Sequence, residues 1–109
     1  MDHLDTADYG IAFVSAPVDA AEGIAREIVA RKLAACAQVT SPVASIFWWK
    51  EKMETESERL ILLKTRRSLL PGMKDLLRQI HPYEVPELTF VPITDGAEPY
   101  LAWLAGILG

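Results

Sequence analysis

Twice along this chain an apolar run of strand character gives way, after a turn, to apolar residues at helical spacing. That switch of period restricts the fold to one in which helices cross over between strands of a sheet. The first run, Tyr9 to Ala16 (YGIAFVSA), stands between acidic residues and Pro17 and reads as a strand buried on both faces. Ala21, Ile24, Ala25, Ile28, Val29 and Leu33 then recur at helical spacing, with Arg26, Glu27, Arg31 and Lys32 on the other side. Asp19 is expected to cap this helix, with Glu22 completing a capping box. About four turns should follow, ending on the basic residues that the helix dipole favours.

From Ala35 the period changes. Cys36 to Lys50 reads as one long or bent strand, bulged or kinked at Ser41-Pro42. Lys50 to Ser57 is expected to form a polar turn region, and Arg59 to Arg66 (RLILLKTR) the second arm of a hairpin. Ser68 should cap the next helix, with Pro71 in its first turn. Its apolar stripe runs through Leu69, Leu70, Met73, Leu76, Leu77 and Ile80, and His81-Pro82 ends it. Leu88 to Ile93 is a further strand, Asp95-Gly96 a turn, and Pro99 to Leu108 a short final helix. The order β-α-β-β-α-β plus a terminal helix predicts the α+β class: a ferredoxin-like sandwich with both crossover helices on one face of an antiparallel sheet. One domain over 9–109 is expected behind a flexible tail, 1–8. The other face, with Trp48 and Ile61 in its strands, is expected to need a partner subunit as cover.

Composition supports that expectation. Half of the 109 residues are hydrophobic, three of them Trp, which is more than so short a chain can hide, so an obligate oligomer is expected. A net charge of −4 argues against a nucleic-acid partner. No apolar run approaches the ~20 residues that span a bilayer, so no membrane association is expected. Met1 to Asp8 lacks the basic and apolar parts of a signal peptide, and Cys36 is the single cysteine. Both point to the cytoplasm, where the thiol stays reduced.

The segment His81-Pro82-Tyr83-Glu84-Val85-Pro86-Glu87 carries the densest chemistry. Two prolines fix φ near −65° around a tyrosine and carboxylates, so the loop holds its polar groups at low entropic cost. With this segment, Lys32-Leu33-Ala34-Ala35-Cys36-Ala37, Ser45-Ile46-Phe47-Trp48-Trp49-Lys50, Leu63-Lys64-Thr65-Arg66 and the tail Pro99-Tyr100-Leu101-Ala102-Trp103-Leu104 occur in that order. Together they resemble the CutA family of divalent-cation tolerance proteins, over nearly all of the chain. The resemblance implies a ferredoxin-like subunit in a homotrimer packed around a threefold axis. It also implies an association with copper and other divalent cations, in metal-ion response or homeostasis, and no well-established enzymatic reaction.

Several residues are candidates for that chemistry. Cys36 offers a thiolate to soft ions such as Cu(I), or a small apolar group buried among Ala34, Ala35, Ala37 and Val39. Some family members have a second Cys where this chain has Val14, which weakens a two-thiolate site. His81 suits Cu(II) or another divalent cation, with Glu84 or Glu87 completing a mixed nitrogen and oxygen set; the same histidine could serve simply as a helix terminus. Lys64, Tyr83, Glu87 and Trp103 could converge at an intersubunit cleft around a small anionic or zwitterionic ligand, or form an ion pair under an aromatic lid. In that case the chain would act like the trimeric nitrogen-signalling (PII-like) regulators. Trp48 and Trp49 are expected on opposite faces of their strand, in core or interface rather than as an aromatic cage. No Gly-rich phosphate loop and no nucleophile–base set is readable, so neither an organic cofactor nor catalysis is expected.

Overall fold

The computed structural model describes residues 8–109. The tail expected over 1–8, and with it His3, lies outside the described residues except for Asp8. The chain runs through β1 (Tyr9–Pro17), α1 (Ala21–Ala30), β2 (Cys36–Val39), β3 (Val43–Trp49), β4 (Lys52–Arg66), α2 (Leu70–Ile80), β5 (Thr89–Pro92) and α3 (Glu98–Leu108). A single 3₁₀ turn, Arg67–Leu69, joins β4 to α2. The sheet order is β2-β4-β1-β5, with β3 also on β4, and every pairing is antiparallel. That order is a split β-α-β arrangement, as the alternation of periods predicts.

Alternation along β1 and β4 decides what is core. Ala12, Val14, Ala16, Ile61 and Leu63 face the helices and are fully buried against Ile24, Ile28, Met73, Leu76 and Leu77. Their neighbours Ile11, Phe13, Leu60 and Leu62 point to the opposite face and are only half-buried. Ile61 therefore belongs to the core and not to the open face where the sequence reading put it. At the Tyr9 end, that face is covered by α3 through Leu101 and Leu104. Gly10 allows β5 to close on β1: a Cβ there would fall 2.6 Å from Cε1 of Phe90 and collide with the Val91 carbonyl.

Several boundaries differ from the expected ones. α1 has ten residues and begins after Ala20, with no side-chain cap. Asp19 makes no capping bond, because it lies in the turn before the N-cap position, Ala20, and Glu22 binds Arg26 one turn on, at 3.1 Å. The helix ends before its expected basic residues. Lys32 turns left-handed (φ 55°), and Lys32 N–H and Leu33 N–H bond back to Val29 and Ile28 in a Schellman pair. Ser68 falls in the 3₁₀ turn, and α2 starts after Leu69, again with no side-chain cap. The polar turn expected over Lys50–Ser57 shrinks to Lys50-Glu51, both at positive φ, the geometry of a two-residue hairpin loop. β4 therefore runs for 15 residues.

The expected bulge at Ser41-Pro42 is present and has a consequence for the site. Three residues, Thr40 to Pro42, stand opposite two, Arg59 and Leu60, between the pairs Val39↔Ile61 and Val43↔Glu58. Thr40 closes the gap: its N–H reaches the Leu60 carbonyl at 2.9 Å and its Oγ1 accepts the Leu60 N–H at 3.0 Å. The extra residue reverses the facing of β3 relative to β2. Phe47 and Trp49 thereby join Glu58 on the helix-free face, while Ile46 and Trp48 join Met53 on the other. The β3–β4 arm lengthens the molecule, whose principal extents are 52 × 24 × 24 Å.

Candidate functional site

The loop after α2 is anchored through His81. β5 begins at Thr89, opposite Phe13, so the last residues of β1 have no strand on that edge. His81 serves them there: its Nε2 lies 2.8 Å from the Ser15 carbonyl, and its Nδ1 accepts the Tyr83 N–H at 3.0 Å. An accepting Nδ1 requires the proton on Nε2, so both ring nitrogens are engaged in a neutral imidazole. His81 is 7% exposed, and its ring lies 4.9 Å, centroid to centroid, from that of Tyr83.

Tyr83 in turn reaches across to the sheet. Its hydroxyl donates to Oε2 of Glu58 at 2.7 Å. Burial, then the hydrogen bond to Glu58 and the charges of Glu58 and Glu56, hold the phenol well above its ordinary value of 10.0, so it stays a donor. Glu58 is only 5% exposed and forms no ion pair among the described residues. Glu87 is tied more lightly, by the Ser15 hydroxyl at 3.4 Å and the Thr89 hydroxyl at 3.0 Å. Together these groups border a cavity of about 400 Å³ on the helix-free face, lined also by Phe47, Trp49, Glu84 and Val85. Its lining holds three carboxylates, Glu58, Glu84 and Glu87, and no Lys or Arg.

The residues singled out from sequence divide accordingly. Tyr83, Glu84 and Glu87 line the cavity, and His81 holds the loop beneath it. Lys64 is elsewhere: six residues along β4 from Glu58, roughly 20 Å at a strand's rise per residue, its Nζ 3.0 Å from Oε1 of Gln38. Trp103 sits on α3, at the Tyr9–Arg66 end of the sheet, beside Tyr100. One chain therefore does not bring Lys64 and Trp103 to Tyr83 and Glu87. Cys36 is half-buried on the helix-free face opposite Lys64, four residues along the strand from the level of Ser15, roughly 13 Å. Among the described residues no three His, Cys, Asp or Glu side chains are placed to hold a metal ion. Trp48 and Trp49 lie on opposite faces of β3, as expected: Trp48 stands on the helix-side face rather than the open face, and Trp49 lines the cavity with Phe47.

Sequence reasoning missed Glu58, Phe47 and Ser15. Glu58 sits one residue before the strand that was expected to begin at Arg59. Its face follows from the same alternation that places Leu60 and Leu62, once the strand is extended.

The fold and the site define a small α+β domain with an acidic, aromatic-walled cleft on the helix-free side of its sheet. The sequence profile of the CutA1 divalent ion tolerance proteins matches residues 11–106, and the chain belongs to that family. It is 44% identical to human protein CutA over 94 residues, 85% of this chain and 52% of that protein. It is 39% identical to a divalent-cation tolerance protein CutA of Escherichia coli over 95 residues, 86% of this chain and 85% of that one. The chain thus spans about half to two-thirds of the animal relatives it matches and most of the bacterial one. Among solved structures, CutA1 of Oryza sativa superposes with a TM-score of 0.88 at 35% identity, covering 94% of both chains. The Thermus thermophilus divalent cation tolerance protein gives 0.88 at 32% identity, covering 93% of this chain and 99% of that one.

Proposed function

We propose that this chain serves divalent-cation tolerance as a cytoplasmic homotrimer that binds copper or another divalent cation and carries out no catalysis. The observation that carries the reading is the unbalanced charge of the cleft: three carboxylates, one of them nearly buried, with no cationic side chain among the lining residues. Such a cleft attracts cations and repels anions, so it fits metal ions better than an anionic metabolite.

The residues of one chain do not complete a metal site. His81 spends both nitrogens within its own chain, and Cys36 stands far from the loop. Glu84 and Glu87 are the groups that would hold the ion, with further donors supplied by a neighbouring subunit. The arm supports such an assembly. Ile46, Trp48 and Met53 form a strip on its helix-side face, exposed by 65%, 75% and 67%. An apolar strip of this kind, with the half-buried Ile11, Phe13, Leu60 and Leu62 on the sheet, is what a subunit interface covers.

Calorimetric titration with Cu(II) and Zn(II) tests the metal reading, with Glu84→Gln and Glu87→Gln alongside. Binding that weakens about tenfold or more in either variant supports it. Unchanged binding in both removes the loop carboxylates from the site. Sedimentation tests the assembly: a lone 12.1 kDa species would contradict it.

A further inference from the structure

We propose that the cleft is a site for an organic cation, a primary alkylammonium whose charged head meets Glu58 and whose stem runs along the cavity toward the aromatic wall of Phe47 and Trp49. This rests on the reading of the cleft as a cation site, but on neither the metal nor the trimer.

Glu58 is the reason. A carboxylate this deeply buried is ordinarily paired, because desolvation of an unpaired charge is costly. Here Tyr83 donates one hydrogen bond to Oε2, and Oε1 has no donor among the described residues. The side chain is 95% buried, by its 5% exposure, yet it lines the cavity. The site therefore presents an acceptor oxygen and a negative charge to whatever enters.

The walls narrow the class of ligand. A hydrated divalent metal needs several oxygen or nitrogen donors at about 2–2.5 Å, and no such trio of acidic, His or Cys side chains is placed here. Phe47, Trp49, Val85 and Pro82 line the same cavity as Glu58, with Phe47 and Trp49 at the levels of Glu54 and Lys52, four and six residues along β4 toward its outer end. Aromatic faces attract a desolvated ammonium and cover a methylene stem at the same time. The Trp49 ring already accepts a cation within the chain: Nζ of Lys50 lies 5.7 Å from its centroid. N–H donors are needed to use both the free Oε1 of Glu58 and the oxygens of Glu84 near the mouth. That favours a primary ammonium over a quaternary one. A volume of about 400 Å³ admits a short aliphatic chain with a charge at each end.

The bulge belongs to the same arrangement. Without its extra residue, Ile46 and Trp48 would occupy the positions of Phe47 and Trp49, and the indole next to the Lys50 turn would point to the other face.

The test is a titration of the full chain, free of added metal, with 1,4-diaminobutane and n-butylamine, each matched in ionic strength by sodium chloride. Tryptophan fluorescence and amide chemical shifts are read. The account predicts saturation at about 1 mM or below, shifts centred on Glu58, Tyr83 and Trp49, and no such response to sodium. Glu58→Gln keeps an acceptor for Tyr83 and removes the charge, so it should fold and weaken binding about tenfold or more. Trp49→Phe should abolish the fluorescence response while retaining the shifts. A response that does not saturate, that sodium reproduces, or that survives Glu58→Gln unchanged would overturn the proposal. Glu84→Gln and Glu87→Gln separate the readings. Loss of metal binding there with retained amine binding upholds both, and retained amine binding in a protein that binds no metal leaves this one standing alone.

Discussion

Replacing His81 separates two roles that a histidine in this loop can have. In the structure it is an anchor: one nitrogen donates to the Ser15 carbonyl and the other accepts the Tyr83 N–H. Truncation to Ala leaves both partners without a bond at a residue that is only 7% exposed. An unmade bond at a buried group costs about 1–3 kcal/mol, with water recovering part of it. Two such bonds and the lost contact with the Tyr83 ring bring the expected destabilisation of His81→Ala to about 2–4 kcal/mol. His81→Phe keeps the ring's bulk and should cost about 2 kcal/mol, the polar share alone. Denaturant unfolding at one fixed protein concentration reads both, since stability of an oligomer depends on concentration. Amide exchange gives a second readout: the Tyr83 N–H should lose its protection in both variants. If both variants stayed within about 0.5 kcal/mol of the parent while Cu(II) or Zn(II) affinity collapsed, the anchor account would be refuted and the ring would be a ligand.

Further expectations follow from neighbouring groups. Glu58→Gln removes a nearly buried, unpaired charge and keeps the Tyr83 bond, so the ligand-free protein should gain about 1 kcal/mol in denaturant unfolding; a loss of similar size would mean that an unseen cation balances Glu58. Because burial and Glu58 raise the Tyr83 phenol above 10.0, its contribution to stability is complete below pH 10 and lost as pH rises through the folded-state value. Absorbance titration should show one phenol ionising late, and Tyr83→Phe should remove that phase and flatten the loss of stability above pH 10. Lys32 holds the left-handed position of the Schellman pair at φ 55°, so Lys32→Gly should stabilise by roughly 0.5–1 kcal/mol in thermal unfolding. A destabilised Gly variant would show that the lysine stem, not the backbone, matters there.

Much of this fold is legible because its signals are local. The apolar run of β1 and the stripes Ile24, Ile28 and Met73, Leu76, Leu77 state both period and buried face. The first half of β4 is not legible, since Lys52 to Glu58 is polar or charged on nearly every position and its partner is β3, not the core. Reading it as a turn followed from that composition. The missed helix caps have a similar origin: Asp19 and Ser68 have the right chemistry, but the flanking turn and the 3₁₀ segment move the helix starts past them. At the site, Tyr83, Glu84 and Glu87 stand out because Pro82 and Pro86 frame them. Glu58 and the aromatic wall do not, because their facing depends on one extra residue at Thr40–Pro42 and on cross-strand register. Lys64 and Trp103 were grouped with Tyr83 on residue type alone, and strand length separates them within the chain.

We propose that the cation-seeking groups are carboxylates, with His81 kept as their support. Anomalous diffraction from a crystal soaked in Cu(II) tests it directly. The predicted result is an ordered peak at Glu84 and Glu87, near a subunit boundary, with the His81 ring still on Ser15 and Tyr83. A peak on the His81 imidazole, swung away from those partners, would contradict it.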